Sequence, residues 1–134
     1  MLLSRKGILA VAAVIDVALH AEERPVSAKA LANRHGLPPR HLEPVLQALV
    51  HDGILKGVRG PRGGYELGRE PRRISAVEIL RAAGTVDEEG QDQRPSDGIV
   101  GKVVLPALAQ AERTFATALG QITIDELLRR ASSR

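Results

Sequence analysis

Three polar side chains, Arg40, Glu43 and Gln47, recur at intervals of three and four residues. In a helix this spacing places them on one face. An arginine can bind O6 and N7 of guanine, a glutamate can accept from N4 of cytosine, and a glutamine can pair with adenine. The three residues are therefore candidates for reading DNA bases; the alternative is that they are solvated helix residues.

A second basic group lies on a turn rich in glycine and proline. Arg59 precedes the turn 60–64, which contains Arg62. Glycines let a backbone approach a ligand closely, and an arginine at a narrow tip suits the negative potential of the minor groove. An ordinary exposed turn with basic residues for solubility is the alternative interpretation.

Other polar residues are candidates for phosphate contacts. Such contacts position a protein on a duplex without specifying its sequence. The candidates are Arg5, Lys6, Ser27, Lys29 and His41.

The elements around these residues predict a helix-turn-helix followed by a hairpin. Ser27 is a good N-cap for a helix over 28–35, and Gly36 suits a helix end. The next helix starts at Pro39. Its apolar residues at i, i+3, i+4 and i+7 form one stripe, which predicts a buried face: Leu42, Val45, Leu46 and Leu49. Short strands at 54–59 and 65–67 then enclose the basic turn.

The flanking segments predict further helices. Residues 5–21 are apolar almost all round, which is typical of a helix that is buried or shared between subunits. Ser75 and Glu78 form a capping box for a helix to about residue 83.

The acidic segment 86–98 lacks periodicity and is predicted to be a solvated loop. Residues 99–119 return to a helical period, with Pro106 at a bend or start, and their apolar residues are predicted to face inward: Val100, Val103, Val104, Ala107, Ala111, Phe115, Ala118 and Leu119. A second capping box at Thr123 and Glu126 opens a short last helix.

Composition narrows the function classes. The chain has 134 residues, which suits one domain, and it has no cysteine, which excludes disulfides and thiolate metal sites. Aromatic residues make up 1%, too few for base-stacking platforms. Residues 1–82 carry 13 Lys and Arg against 8 Asp and Glu, whereas 83–134 carry 6 against 8. The basic first part indicates a partner that is a polyanion.

Other chemistry has little support in the sequence. The four histidines are scattered, and the pair Asp16 and His20 at i, i+4 is predicted to be a satisfied polar pair. We predict no enzyme activity and no cofactor.

Arg5 and Lys6 before an apolar run resemble the start of a signal peptide, but Asp16 and His20 interrupt the run. No stretch reaches the length of a membrane span, so we expect a cytoplasmic protein.

The combined motifs resemble one family. Residues 4–7 (Ser-Arg-Lys-Gly), 25–27 (Pro-Val-Ser), Leu42 with Glu43, and above all the hairpin at 58–67 (Val-Arg-Gly-Pro-Arg-Gly-Gly-Tyr-Glu-Leu) are similar to the Rrf2 family of bacterial transcription regulators. This family includes the iron–sulfur cluster regulator and the nitrite- and nitric-oxide-sensitive repressor. The resemblance extends through 121–127 near the end of the chain.

The resemblance implies a mainly helical winged helix-turn-helix protein that forms a homodimer. The winged domain is expected at 1–84, the acidic loop at 85–98, and the dimerisation helix with a short last helix at 99–134. The residue matching Glu43 reads bases in this family, the position matching Arg40 lies on the same face, and the residue matching Arg59 enters the minor groove.

Three features depart from the family pattern. Arg40 stands where a small polar residue is common, and Pro44 lies inside the base-reading helix. Many family members hold an iron–sulfur cluster on three cysteines in the loop that corresponds to 86–98, and this chain has no cysteine. The resemblance therefore implies a member without a cluster.

The resulting hypothesis is a sequence-specific, homodimeric DNA-binding regulator, with repression of a promoter through a near-palindromic operator as the mechanism. The sequence does not identify an effector. Two alternatives stay open. One is a winged-helix module that binds a protein partner, and the other is a metal-responsive regulator that uses histidines and the acidic loop as ligands.

Overall fold

The computed structural model describes residues 4–20, 24–84 and 98–132, with only the backbone of Val100. It contains six α-helices and one hairpin in these ranges, together with a 3-10 turn at Pro71–Arg73 and a π-helical turn at Val100–Val104. The elements are α1 (Arg5–His20), α2 (Ala28–His35), α3 (Pro39–His51), β1 (Leu55–Val58), β2 (Gly64–Leu67), α4 (Ala76–Ala82), α5 (Leu105–Gly120) and α6 (Ile124–Ser132). The predicted winged helix-turn-helix with a long additional helix is confirmed. The predicted acidic loop lies outside the described residues, except for Gly98.

The apolar stripe of α3 lies in the centre of the core. Its four large residues are at most 1% exposed, and they join a buried face of α1 in one cluster. Burying a side chain of this size stabilises a fold by about 1.5–3 kcal/mol. The members from the two helices are Leu42, Val45, Leu46 and Leu49 of α3 and Ala10, Ala13, Val14 and Val17 of α1.

Local signals set the ends of the helices. The Oγ of Ser27 accepts from the amide of Ala30 at 3.0 Å, as predicted for an N-cap. Gly36 ends α2 with φ of 66°, a left-handed conformation that glycine adopts at little cost. Ser75 and Glu78 form the predicted capping box of α4.

The base of the hairpin is attached to the chain segment that leads into α2. The amide of Val26 donates to the carbonyl of Tyr65 at 2.9 Å, and the amide of Tyr65 donates to the carbonyl of Val26 at 2.8 Å. The hairpin pairs Leu55 with Leu67 and Val58 with Gly64, so β1 is shorter than predicted. The wing therefore keeps a fixed position beside the start of α2.

A buried carboxylate joins α1 to α2. Asp16 has a side chain only 7% exposed, and Arg34 donates to it from Nε at 2.9 and 3.1 Å and from Nη2 at 2.7 Å. Nε2 of His35 lies 3.1 Å from the same carboxylate and Nδ1 of His20 lies 3.2 Å from it. The predicted pair of Asp16 and His20 is confirmed as part of this larger cluster.

The charge state of Asp16 follows from two opposed effects. Burial alone would raise the pKa of the carboxyl group, but the hydrogen bonds and charge of Arg34, followed by the charges of His20 and His35, outweigh it. The pKa of Asp16 therefore lies below its ordinary value of 3.8. The same contact raises the pKa of Arg34.

The last two helices return to the body at the start of α4. The amide of Ala76 donates to the carbonyl of Ile122 at 2.8 Å, and the amide of Ile124 donates to the carbonyl of Ile74 at 2.8 Å. Ile124 is fully buried in the core. The second predicted capping box is present only in part: the Oγ1 of Thr123 accepts from the amide of Glu126 at 3.1 Å, whereas the carboxylate of Glu126 accepts from Arg130.

The predicted inward face of α5 is wrong for a single chain. In the described part of the chain no residue of α5 is buried, and Val103, Val104, Ala107, Ala111 and Ala118 are exposed, whereas Phe115 and Leu119 are half-buried. The physical reason is that α5 contacts its own chain mainly through α4. None of the helices in the described ranges combines the length and apolar character needed to cross a membrane.

The close approach of the hairpin to the segment before α2 predicts the effect of a methyl group at Gly64. A Cβ at this position would lie 2.4 Å from the carbonyl oxygen of Val26. We expect Gly64→Ala to lower the free energy of unfolding by about 1–3 kcal/mol, measured by urea denaturation. Gly57→Ala in the same hairpin is the matched control, because no atom lies within 4 Å of its Cβ position. Equal stabilities of the two variants would contradict this packing.

The Asp16 cluster predicts that Arg34→Ala lowers the free energy of unfolding by an amount that depends on pH. Removing the arginine leaves a buried acceptor without its main donor, which costs about 1–3 kcal/mol at neutral pH. The pKa of Asp16 is lowered in the folded protein. The stabilisation by the ionised Asp16 is therefore fully present at pH values well above 3.8, and it is lost as the pH falls through the pKa of Asp16 in the folded state. We therefore expect the difference from wild type to shrink in acid, as measured by urea denaturation across pH.

Arg81→Ala is the control for this variant, because Arg81 is exposed on α4 and a surface change of this kind alters stability by less than about 0.5 kcal/mol. A loss in Arg34→Ala that stays the same at every pH would contradict the role given to the Asp16 carboxylate.

Candidate nucleic-acid interface

The outer face of α3 carries the predicted base-reading residues. Arg40, Glu43 and Gln47 are all exposed, while the opposite stripe is buried. The structure therefore brings these three side chains together on one solvent-facing surface. Since the stripe packs tightly, the rotation of α3 about its axis is fixed and so is the direction of this surface.

Pro44 lies on the same exposed face and does not interrupt the helix, which continues from Pro39 to His51. A proline inside a helix cannot donate to the carbonyl four residues earlier, here that of Arg40. Pro44 therefore removes one backbone hydrogen bond from α3, while the residues around it keep helical structure.

The hairpin tip carries two exposed arginines. Arg59 and Arg62 extend from the turn between β1 and β2, and the amide of Gly63 closes this turn by donating to the carbonyl of Gly60 at 2.9 Å. Lys56 differs from them, because its Nζ lies 3.1 Å from the carboxylate of Glu66 on the facing strand. The unneutralised charge of the hairpin is therefore concentrated at the tip.

The predicted phosphate contacts are spread over three helices. Arg5 and Lys6 are exposed in the first turn of α1, Lys29 is exposed in the first turn of α2, and His41 is exposed near the start of α3. Ser27 is half-buried, and its hydroxyl already serves as the cap of α2.

An open cleft of about 400 Å³ brings part of the predicted set together. It lies between the end of α1, the start of α2 and the hairpin tip. Ser27 and Arg62 both line it, and so do three basic residues that sequence reasoning did not select: His20, Arg24 and Arg34.

These residues gave little signal in the sequence. Arg24 is next to Pro25 and is easily taken for a residue that ends α1. Arg34 is 18 positions from Asp16, so no local pattern connects them.

A metal centre has no support in the described ranges. No three His, Asp or Glu side chains there are arranged to hold a metal ion. His20 and His35 do meet at Asp16, but the guanidinium of Arg34 binds both oxygens of that carboxylate. The acidic part of the proposed ligand set, at 86–98, lies outside the described residues apart from Gly98.

Comparison with known proteins places the chain among bacterial regulators. The family model for Rrf2, described as an iron-dependent transcriptional regulator, matches residues 3–130. The HTH-type transcriptional regulator IscR of Xenorhabdus nematophila is 36% identical over 134 aligned residues, which cover 96% of this chain and 80% of that protein. Matches to further relatives named IscR, from Photorhabdus laumondii and Aliivibrio salmonicida, cover about half of their length.

Solved structures show the same architecture. IscR of T. potens superimposes with a TM-score of 0.77 at 32% identity, covering 97% of this chain and 88% of the other. CymR, the global cysteine regulator of B. subtilis, superimposes with a TM-score of 0.75 at 27% identity, covering 96% of each chain.

A cysteine-bound iron–sulfur cluster does not fit this chain, although the family description names iron dependence. Cysteine thiolates are the ligands of iron–sulfur clusters, and the sequence contains none. The match over almost the whole chain and the shared winged structure nevertheless show that this protein belongs to the Rrf2 family of transcriptional regulators.

Proposed function

We propose that the protein is a homodimeric, sequence-specific DNA-binding regulator that represses transcription by occupying an operator. The observation that carries this proposal is the outer face of α3, where Arg40, Glu43 and Gln47 are exposed directly opposite a fully buried stripe. A rigid helix with such a face can enter the major groove, which is about 12 Å wide, and bring donors and acceptors to base edges.

The residues of this face have complementary roles in the proposal. Arg40 offers donors to guanine, Glu43 accepts from cytosine and Gln47 pairs with adenine, each distinguishing bases by about 1–3 kcal/mol. Arg59 at the hairpin tip enters the adjacent minor groove, where its charge is attracted by the negative potential. Exposed cations on α1, α2 and α3, including Lys29 and His41, add contacts to phosphates.

A homodimer is supported by the apolar surface that a single chain leaves in water. Ile99, Val103 and Leu108 are 73%, 60% and 60% exposed, and Ile8 of α1 is 57% exposed. Such a concentration of large apolar side chains is typical of an interaction surface. A second copy that packs α5 against this surface would bury them, and would place two α3 helices on one face of a duplex.

A two-fold dimer would read a near-palindrome whose half-sites are one helical turn, about 34–36 Å, or a multiple of it apart. Binding over a promoter would exclude the polymerase. Such a regulator would meet its DNA in the cytoplasm, and any effector would have to act without a cysteine-bound cluster.

The roles of Glu43 and Arg59 predict a loss of base specificity in one variant and a loss of affinity in the other. In a selection from random duplexes, we expect Glu43→Ala to enrich a motif that is degenerate at one position of each half-site, because a lost base contact costs about 1–3 kcal/mol at that position only. We expect Arg59→Ala to keep the same motif with weaker binding. The reversed pattern would contradict the assignment, and no enriched motif with the wild type would contradict the function.

The apolar surface predicts the oligomeric state. We expect a dimer for the wild type and a folded monomer for Val103→Glu combined with Leu108→Glu, measured by sedimentation equilibrium. Burying an unpaired carboxylate costs several kcal/mol, and about 1.4 kcal/mol is tenfold, so the dissociation constant should rise by about 100-fold or more.

Gln110→Glu is the control, since it adds one carboxylate at an exposed polar position of α5, whereas the double variant adds two at apolar positions. Circular dichroism should show that the double variant is folded, because both substituted side chains are exposed. A wild type that is monomeric at micromolar concentration would contradict the proposed assembly.

A further inference from the structure

The basic cleft beside the hairpin tip is not explained by base reading. Its walls come from three parts of the chain, namely the end of α1, the segment leading into α2 together with one face of α2, and the turn between β1 and β2. Three arginines line it: Arg24, Arg34 and Arg62. Guanidinium groups present several N–H donors in a planar fork that matches the oxygens of a phosphate.

The positive charge of the cleft is only partly neutralised. Asp16 is the carboxylate that contacts a cleft arginine, and it engages Nε and Nη2 of Arg34. Arg24 is exposed, as is Arg62, and neither meets a carboxylate of the described residues within ion-pair distance. Among the described residues, those that line the cleft therefore carry an excess of positive charge, which an anion would offset.

The start of α2 adds the positive end of a helix dipole to the same place. Ser27 and Ala30 both line the cleft, and the hydroxyl of Ser27 accepts from the amide of Ala30. The first amides of a helix have no partners within it, and together with the helix dipole they favour an anion. Because the cap already occupies the amide of Ala30, α2 contributes its dipole, and the arginines supply the hydrogen-bond donors of the cleft.

We propose that this cleft binds a backbone phosphate of the duplex, with Arg24 and Arg62 as its main ligands and Nη1 of Arg34 as a further donor. The proposal rests on the proposed function, and it assigns Arg62 to the DNA backbone rather than to the minor groove, which is left to Arg59. The location is suitable because the first helix of a helix-turn-helix crosses the backbone. The strand would lie between α2 and the wing.

Salt dependence of binding to a non-specific duplex tests the proposal. For the intact protein, the logarithm of the binding constant falls with the logarithm of salt concentration, with a slope of about −0.9 for each phosphate contact. Because Arg24 and Arg62 would share one phosphate, we expect the double variant Arg24→Ala with Arg62→Ala to reduce the steepness by about 1 and each single variant to reduce it by less. All three variants should weaken binding equally for all sequences. Arg81→Ala, which removes an exposed arginine outside the cleft, should keep the wild-type slope.

Two results would overturn the proposal. One is a wild-type slope in the double variant. The other is saturable binding of inorganic pyrophosphate to the free protein that the double variant loses while its slope is unchanged, which would make the cleft a site for a small anion. A wild type that binds no duplex at low salt would instead overturn the proposed function itself. Arg34 is left intact in these variants because it also holds Asp16 in the fold.

Discussion

The burial of one stripe of α3 is the constraint on which the interface depends. Leu42, Leu46 and Leu49 are fully buried, and each contributes about 1.5–3 kcal/mol through burial. A rotation of α3 by one residue, about 100°, would move part of this stripe into water. The packing energy therefore fixes which face of the helix points outward, and with it the positions of Arg40, Glu43 and Gln47. Recognition chemistry is set here by apolar packing on the far side of the same helix.

Two polar connections extend that constraint to the rest of the basic surface. Asp16 holds Arg34, so α2 keeps its position on α1, and the paired backbones of Val26 and Tyr65 hold the wing beside the start of α2. The helix pair and the hairpin thus form one unit. In contrast, Leu105 and Leu108 of α5 are exposed when the chain is alone, and the proposed dimer would cover them.

Sequence reasoning succeeded where a signal is local. The i, i+3, i+4 and i+7 stripe identified α3 and its buried face, Ser27 and Ser75 were correctly predicted as caps, and the glycines of the hairpin marked its turn. It was wrong about α5, because helical periodicity shows that a helix has an apolar face but not whether its own chain covers that face. It missed Arg24 and Arg34 because a cleft formed by three distant segments has no pattern along the chain.

Chemical protection of a selected operator tests the central claim most directly. If α3 reads base edges as a symmetric pair, bound protein will protect guanine N7 from methylation in two major grooves, with centres one helical turn, about 34–36 Å, or a multiple of it apart, on one face of the duplex. Glu43→Ala should leave the spacing unchanged. Uniform protection without that spacing, or protection of phosphates alone, would contradict the account.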